Sequence, residues 1–244
     1  MKPQAPNTWL TGAGKELADF FTAAADVIIV ERKRTIKLLL DLFRYHYDPP
    51  EGRIILDIGC GDGTITRHFM ERYPENTFYL MDGSDDMLSK ARESLKRDNV
   101  VFMKQTFEEY IDKDPETPKY DFVFSSNAIH HLDSSGKERL YRRIYHDLAH
   151  NGFFVNFDVV LPSSDRSEQL QFKMWIDWMN ETLMKMDLKN DAGKHDNLPE
   201  VYKSRSENQP AHLNDQLEML GRAGFKDVDC FFKYSIFALF GGIR

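Results

Sequence analysis

The sequence predicts an α/β fold in which a parallel sheet carries helices on both faces. Five short segments are nearly continuously apolar and rich in β-branched or aromatic residues, as strands buried on both faces are. Segments with helical periodicity alternate with them, and a glycine-rich turn follows the first one. The predicted strands cover 53–58, 77–82, 99–104, 120–126 and 152–160.

Three segments between these strands place apolar residues four positions apart, which predicts one buried stripe on each helix. The stripes are Ile65, Phe69 and Tyr73, then Met87, Ala91 and Leu95, then Leu140, Ile144 and Leu148. We therefore expect these helices to cover the sheet.

Two additions flank this core within a predicted single domain, whose central part is made of 53–160 and 211–244. Residues 12–47 look helical and form an N-terminal cap. Residues 162–210 are a polar, charged insertion in which a helix precedes the loop-like stretch KNDAGKHDN. The apolar residues of that helix are Leu170, Met174, Trp175, Trp178 and Leu183. We expect the insertion to act as a lid.

The end of the chain predicts a helix followed by a β-hairpin. Leu213, Leu217 and Leu220 mark the helix, and either Gly221 or Gly224 is suited to end it. The last segment, KDVDCFFKYSIFALFGGIR, holds two strands with almost no connector, so the two strands must be antiparallel.

Composition limits the class of protein. The 244 residues are 41% hydrophobic and carry a formal net charge of -7, which disfavours a generally basic nucleic-acid surface. No apolar stretch approaches the roughly 18 residues of a membrane span, and the first residues lack a signal-peptide core. Cys60 and Cys230 match no metal-binding spacing. We expect a cytoplasmic protein with small-molecule partners and with no metal, membrane or stable nucleic-acid complex.

The stretch IILDIGCGDGT joins a strand that ends near Asp57 to Gly59, Gly61 and Gly63 and then to a helix. Backbone amides and a positive helix end suit a ligand that approaches closely. A dinucleotide is one candidate, but its fingerprint is G-x-G-x-x-G, and a carboxylate would repel its pyrophosphate. S-adenosylmethionine instead offers Asp57 an ammonium group and a sulfonium. Cys60, inside the loop, is predicted to pack there.

A second acid follows the next predicted strand. Asp82 lies 19 positions after Gly63, close to the separation of about 20 expected for an acid that binds ribose hydroxyls. Met87 is placed to lean on an adenine, Gln105 to read its edge and Phe107 to form an apolar wall. The fourth strand ends in SSNAIHHL, whose polar side chains would face a reactive methyl group.

Together, LDIGCGDGT, LMDGSDDML and SNAIHHL resemble the motifs of class I S-adenosylmethionine-dependent methyltransferases, and the resemblance spans 53–244. It implies a Rossmann-like seven-stranded sheet in the order 3-2-1-4-5-7-6 with the last strand antiparallel. It also implies S-adenosylmethionine as cofactor, with S-adenosylhomocysteine as product. The cofactor-binding residues assigned on this basis are Asp57, Gly59, Cys60, Gly61, Gly63, Asp82, Gly83, Met87, Gln105, Thr106, Phe107, Ser126, Asn127 and Arg32.

The tail carries a narrower resemblance. EQLQFKMW, KSRSENQPAHLNDQLEMLGRAGF and FKYSIFALFG are similar to the tail of carboxy-S-adenosylmethionine synthases. The resemblance implies that Arg205 grips an extra cofactor carboxylate, that Arg32 or Arg34 clamps the methionyl carboxylate, and that a homodimer forms. The synthases tend to carry serine at the position of Gly61, and this departure favours the ordinary cofactor.

Methyl transfer from a sulfonium is an in-line displacement that mainly requires alignment and exclusion of water. His130 and His131 are the candidates for a general base, which is needed only if the nucleophile must lose a proton. The alternative is that one packs beneath the loop and the other shapes the methionine pocket. Trp175 and Trp178 either form an aromatic wall over a substrate or pack within the lid. The remaining candidates for substrate contact, Tyr202 and Arg205, either bind an acidic substrate or a second subunit, or are solvated.

The sequence therefore predicts a methyltransferase acting on a small molecule. Three alternatives stay open: a carboxy-S-adenosylmethionine synthase-like enzyme linked to tRNA wobble uridine modification, an NAD-binding oxidoreductase, and a non-catalytic adenosylmethionine-binding protein. The sheet alone does not choose among them, because one fold hosts many functions.

Overall fold

The computed structural model describes residue 19 and residues 23–113, 118–191 and 193–244. Seven strands form its central sheet. They are β1 (Ile54–Ile58), β2 (Thr77–Asp82), β3 (Val100–Lys104), β4 (Tyr120–Ser126), β5 (Leu148–Val159), β6 (Lys226–Tyr234) and β7 (Phe237–Ile243).

The strand order is β3-β2-β1-β4-β5-β7-β6, which confirms the predicted order. The first five strands pair in parallel, and β7 is antiparallel to both β5 and β6, as expected for a terminal hairpin. Because parallel strands share their direction, the carboxyl ends of β1 to β5 meet at one edge of the sheet. Ligands of open α/β sheets bind at that edge.

Helices cover both faces of the sheet, as predicted. They are α1 (Arg32–His46), α2 (Thr64–Arg72), α3 (Asp85–Ser94), α4 (Phe107–Asp112), α5 (Ser134–Asp147), α6 (Asp165–Lys185), α7 (Leu198–Ser204) and α8 (Leu213–Ala223). One apolar layer packs α1, α2 and α3 on the sheet, and a second layer packs α5 and α8 on the opposite face. Gly224, in the left-handed conformation with φ 111°, ends α8.

The predicted helical stripes run one residue too far in each case. Tyr73, Leu95 and Leu148 are the residues that follow α2, α3 and α5, and Leu148 is already the first residue of β5. All three are nonetheless buried. The spacing of apolar residues indicates which side chains are buried, and in these three cases the residue just after the helix is buried as well.

The N-terminal region is not one continuous helix. Residues 23–28 are helical, and a turn at 29–31 separates them from α1. Glu31 adopts a left-handed backbone with φ 53° in that turn. Residues 12–18 and 20–22 of the predicted cap lie outside the described residues.

The insertion helix α6 buries only some of its apolar residues. Trp175, Met179 and Leu183 are buried, whereas Leu170 and Met174 are exposed over 60% and 41% of their surface. The buried residues follow each other at a spacing of four, and Leu170 and Met174 lie outside that stripe. Among the described residues, no helix combines the length and apolar character that crossing a bilayer requires.

Candidate active site

A cavity of about 300 Å³ opens at the carboxyl edge of the sheet. Its floor is formed by residues that follow β1, β2 and β4. Residues of the N-terminal cap, including Ile28 and Arg32, lie on one side, and residues of the insertion, including Trp175 and Tyr202, lie on another. The volume is at the lower end of the range typical for small-molecule sites.

The glycine-rich loop turns sharply under this cavity. The backbone N–H groups of Gly59 and Cys60 both donate to the carbonyl of Met81, at 2.8 and 3.0 Å. Gly59 has φ +70°, and a Cβ atom added there would lie 2.4 Å from the Cβ of Ala128. The loop therefore needs glycine at this position both for its backbone conformation and for its contact with the segment after β4.

We expect Gly59→Ala to destabilise the protein more than Gly52→Ala. Gly52 has a similar φ of +72°, but a Cβ atom added there would meet nothing within 4 Å, so the pair separates backbone strain from the clash. The clash should add about 1–3 kcal/mol to the loss of unfolding free energy, measured by urea denaturation. Equal losses for the two variants would contradict this interpretation of the loop.

Asp82 holds the glycine loop in place from the end of β2. Its Oδ2 accepts a hydrogen bond from the Gly61 N–H at 2.9 Å, and its Oδ1 accepts one from the Ser84 N–H at 2.8 Å. Burial raises the pKa of Asp82, although these two N–H groups and Lys104 lower it in part. The carboxylate thus positions the loop while its remaining lone pairs face the cavity.

Asp57 is the second acid at the cavity, and it is buried. Its exposed fraction is 3%, and Thr66 Oγ1 donates to it at 2.7 Å. Burial, with added repulsion from Asp82 and Asp62, raises the pKa of Asp57 to about 8, although the Thr66 hydroxyl lowers it in part. A cation in the cavity would relieve both effects. Burial and the nearby carboxylates, led by Asp57, raise the pKa of the Cys60 thiol, which agrees with a packing role.

The structure brings most of the other predicted cofactor residues to the same cavity. Those that line it are Gly59, Cys60, Gly61, Gly83, Met87, Gln105, Thr106, Phe107, Ser126, Asn127 and Arg32. Thr106 also has a role that the sequence reasoning missed, because its hydroxyl forms a capping box with Glu109 at the start of α4. The pattern T-F-E-E, with Glu three residues after Thr, was the available signal.

Three predicted residues do not reach the cavity. Gly63 has φ +76° and packs against α3, since an added Cβ would lie 2.7 Å from Leu95. Trp178 turns away toward Tyr234, with ring centroids 6.2 Å apart. Arg34 lies over the ring of Phe232. Gly63 therefore shapes the loop without lining the cavity, and Trp178 packs against Tyr234 of β6 instead of joining Trp175 at the cavity.

The two histidines differ in their surroundings, although both line the cavity. His130 Nδ1 lies 2.6 Å from Oδ1 of Asp158, and its backbone N–H donates to Oδ2 at 2.8 Å. His131 Nδ1 lies 3.1 Å from the carbonyl of Glu207. Sequence reasoning missed Asp158. The available signal was an acid in the largely apolar strand GFFVNFDVV, because a buried carboxylate needs partners.

Trp175, Tyr202 and Arg205, the candidates for substrate contact, line the cavity. The Trp175 ring is 2% exposed, and its Nε1 donates to the carbonyl of Ile28 at 2.7 Å. The Tyr202 hydroxyl is buried without a hydrogen-bond partner among the described residues. Arg32 already pairs with Asp26 at 2.8 Å.

Residues 56–154 match the family model of a methyltransferase domain. The malonyl-[acyl-carrier protein] O-methyltransferase of Halalkalibacterium halodurans is 33% identical over 108 residues, which are 43% of this chain and 39% of that protein. The carboxy-S-adenosyl-L-methionine synthase of Nautilia profundicola is 20% identical over 228 residues, which are 93% of this chain and 91% of that protein. The chain thus spans about two fifths of the first relative's length and nine tenths of the second's.

Solved structures share the fold. An O-methyltransferase family protein from Burkholderia thailandensis has a TM-score of 0.65 at 13% identity, and the match covers all of this chain and 65% of that one. Human N-acetylserotonin methyltransferase, solved in complex with S-adenosylmethionine, has a TM-score of 0.59 at 14% identity, over all of this chain and 59% of that one. At these identities the likeness concerns the arrangement of the sheet and helices.

Proposed function

Because the chain belongs to the class I S-adenosylmethionine-dependent methyltransferase family, we propose that it transfers the methyl group of S-adenosylmethionine to a small-molecule acceptor by in-line displacement. One observation carries this proposal. Two carboxylates, the buried Asp57 and the partly buried Asp82, lie at the ends of adjacent strands and line one cavity together with a glycine-rich loop. That arrangement suits a ligand with a cation at one end and hydroxyl groups at the other.

The charge of the cavity supports the choice of cofactor. The ammonium of the methionyl part would stabilise the ionised form of Asp57, whose pKa burial raises. Asp82 accepts hydrogen bonds from the ribose hydroxyls. Met87, Gln105 and Phe107 are placed to surround the adenine. A dinucleotide would instead bring a pyrophosphate beside Asp57, which would raise the pKa of that carboxyl further, whereas an ammonium lowers it.

The protein's part in the displacement is alignment and exclusion of water. The sulfonium is already an activated leaving group, so binding the acceptor in line with the carbon–sulfur bond supplies most of the catalysis. On the acceptor side we assign His130, Trp175 and Tyr202, since all three line the cavity and the Tyr202 ring lies 6.0 Å from that of His130 and 6.3 Å from that of Trp175.

Ligand-dependent stability tests the cofactor assignment. We expect S-adenosylmethionine and S-adenosylhomocysteine to raise the free energy of unfolding by about 2.7 kcal/mol at 100 times their dissociation constants, and NAD to leave it unchanged. Asp82→Asn should weaken cofactor binding about 10-fold or more in calorimetric titrations, because it loses an acceptor for a ribose hydroxyl and loosens the loop.

Asp85→Asn is the matched control. Asp85 lies three residues after Asp82 and outside the cavity, and its carboxylate pairs with the Lys104 ammonium on the surface at 2.6 Å. We expect that variant to bind like the wild type. Stabilisation by NAD alone, or equal affinity of the Asp82 and Asp85 variants, would contradict the assignment.

A second candidate, a carboxylated form of the cofactor, is favoured by Arg205. This guanidinium lines the cavity, and the synthase from Nautilia profundicola is similar over nine tenths of its length. Mass spectrometry of the ligand that copurifies with the protein distinguishes the two forms. Finding the carboxylated cofactor, lost in Arg205→Met, would replace the first candidate with the second.

A further inference from the structure

A buried carboxylate holds the ring of His130 from below the cavity. Asp158 is 1% exposed and lies near the end of β5, the strand next to the one that precedes His130. Its Oδ1 is 2.6 Å from His130 Nδ1 and also accepts from the Val159 N–H at 2.8 Å, and its Oδ2 accepts from the His130 N–H at 2.8 Å. The carboxylate therefore fixes the ring and its tautomer, with Nδ1 protonated and Nε2 left for a molecule in the cavity.

Asp158 is held in its ionised form. Burial alone would raise its pKa, but His130, the Val159 N–H and the nearby Lys137 ammonium outweigh burial and hold the pKa of Asp158 below its ordinary value. Lys137 does not bond the carboxylate; its ammonium donates to the carbonyls of Leu132 and Gln209. A fixed negative charge therefore lies beside Nδ1, where it stabilises the imidazolium that forms when Nε2 takes a proton.

His131 has different surroundings, although it is the next residue. Burial, together with the neighbouring His130, lowers the pKa of His131 to about 3. An imidazole that cannot hold a proton near neutral pH is a poor general base. Its Nδ1 lies against a backbone carbonyl rather than a carboxylate.

We propose that His130 is the general base of the reaction, that Asp158 is its positioning residue, and that the acceptor is therefore a neutral hydroxyl compound, such as a phenol or an enol, rather than a carboxylate. This inference rests on the proposed function. The acceptor O–H gives its proton to His130 Nε2 while an oxygen lone pair attacks the methyl carbon. The carbon–sulfur bond breaks, and its electron pair stays on sulfur. The products are a methyl ether, S-adenosylhomocysteine and an imidazolium paired with Asp158, whose proton then passes to solvent.

The need for a base distinguishes the acceptor classes. A carboxylate carries no proton at neutral pH, so methyl transfer to a carboxylate would not need the pair of His130 and Asp158 as a general base. A phenol is mostly protonated at that pH, and its neutral oxygen is a weak nucleophile. A positioned base contributes about 10²- to 10⁴-fold in such cases.

The test uses the full chain, S-adenosylmethionine and a series of phenols of increasing acidity, from phenol itself to para-nitrophenol, with aliphatic dicarboxylates as the competing class. Formation of S-adenosylhomocysteine is measured under single-turnover conditions for the wild type, His130→Gln and Asp158→Asn. We expect both variants to lose about 100-fold or more with phenol. The loss should shrink toward 1-fold with para-nitrophenol in slightly alkaline buffer, because that acceptor is already ionised.

This dependence on acceptor acidity separates a base from a structural role, since a distorted site would slow every phenol alike. His130→Gln keeps the backbone hydrogen bonds to Asp158, so it remains informative if Asp158→Asn unfolds. His146→Gln is the matched control, because His146 belongs to another His–Asp pair, 3.1 Å from Asp147, outside the cavity, and should leave all rates unchanged.

A loss in His130→Gln that is the same for all phenols, or methyl transfer confined to the dicarboxylates, would overturn the inference. Its failure is distinguishable from failure of the proposed function by calorimetry. Both variants should bind S-adenosylmethionine with the wild-type affinity, whereas absence of binding to the wild type would instead reject the proposed cofactor.

Discussion

Asp57→Asn is expected to stabilise the ligand-free protein at pH 8 and to weaken S-adenosylmethionine binding about 100-fold. The two effects share one cause. The folded protein buries a carboxyl whose ionised form is disfavoured by desolvation and by the neighbouring acids, and the cofactor's ammonium is the group that would compensate for that cost. Asparagine removes the charge and can still accept the hydrogen bond from Thr66.

The stability effect has a definite dependence on pH. In the unfolded chain Asp57 ionises near the ordinary value of 3.8, whereas in the folded protein its pKa is about 8. The folded state therefore binds more protons between these values, and the contribution of Asp57 to stability is present below about pH 4 and is lost as the pH rises through 8. Asparagine has no such loss, so the gain should be on the order of 5 kcal/mol at pH 8 and should disappear near pH 4.

Urea denaturation at pH 4, 6 and 8 measures the first effect, and calorimetric titration with S-adenosylmethionine measures the second. Asp98→Asn is a suitable control, because Asp98 is exposed and lies outside the cavity. A variant that is less stable than the wild type at pH 8, or one that binds the cofactor as well as the wild type, would show that the carboxylate does not have this role.

The predictability of the site depends on whether a signal is local. Asp57 and Asp82 were assigned because the end of a strand, a glycine pattern and a fixed spacing all lie within a short stretch of sequence. Asp158 was not, because its partner His130 lies 28 residues away in sequence and meets it only when β4 and β5 pair. An acid in an apolar strand signals that a partner exists, but not which residue it is.

The same distinction applies to the fold. The strand order was implied by the family resemblance that the motifs carry, and the hairpin of β6 and β7 followed from the short connector between them. The break at Glu31 was missed, because a non-glycine residue with positive φ leaves no mark in an otherwise helical pattern. Spacing along α6 predicted that Trp175 and Trp178 share a face, yet the environment of each ring is set by residues elsewhere in the chain.

Trp175→Ala is the second change for which we expect a large effect. The ring is 2% exposed, lies edge-on to Phe237 at 5.6 Å, and its removal should leave a void that costs about 3–5 kcal/mol of unfolding free energy. The indole N–H also donates to the Ile28 carbonyl. Ile28 is the last of the helical residues 23–28, so its carbonyl has no donor from a following helical turn. Trp175 thus ties the insertion to the cap that borders the cofactor cavity.

Trp175→Phe separates the hydrogen bond from the packing. It should cost about 1–3 kcal/mol, since the buried Ile28 carbonyl loses its donor, and it should speed release of S-adenosylmethionine about 10-fold, because the cap loses a tie to the insertion. Stopped-flow displacement of the cofactor measures that rate.

Trp178→Phe is the matched control on the same helix. The Nε1 of Trp178 is buried without a partner among the described residues, and the ring lies away from the cavity, against Tyr234. Deleting an unsatisfied donor removes a desolvation cost, so this variant should be as stable as the wild type or slightly more stable, with unchanged cofactor release. If the two phenylalanine variants lose stability equally and release the cofactor at the same rate, the bond to Ile28 does not hold the cap.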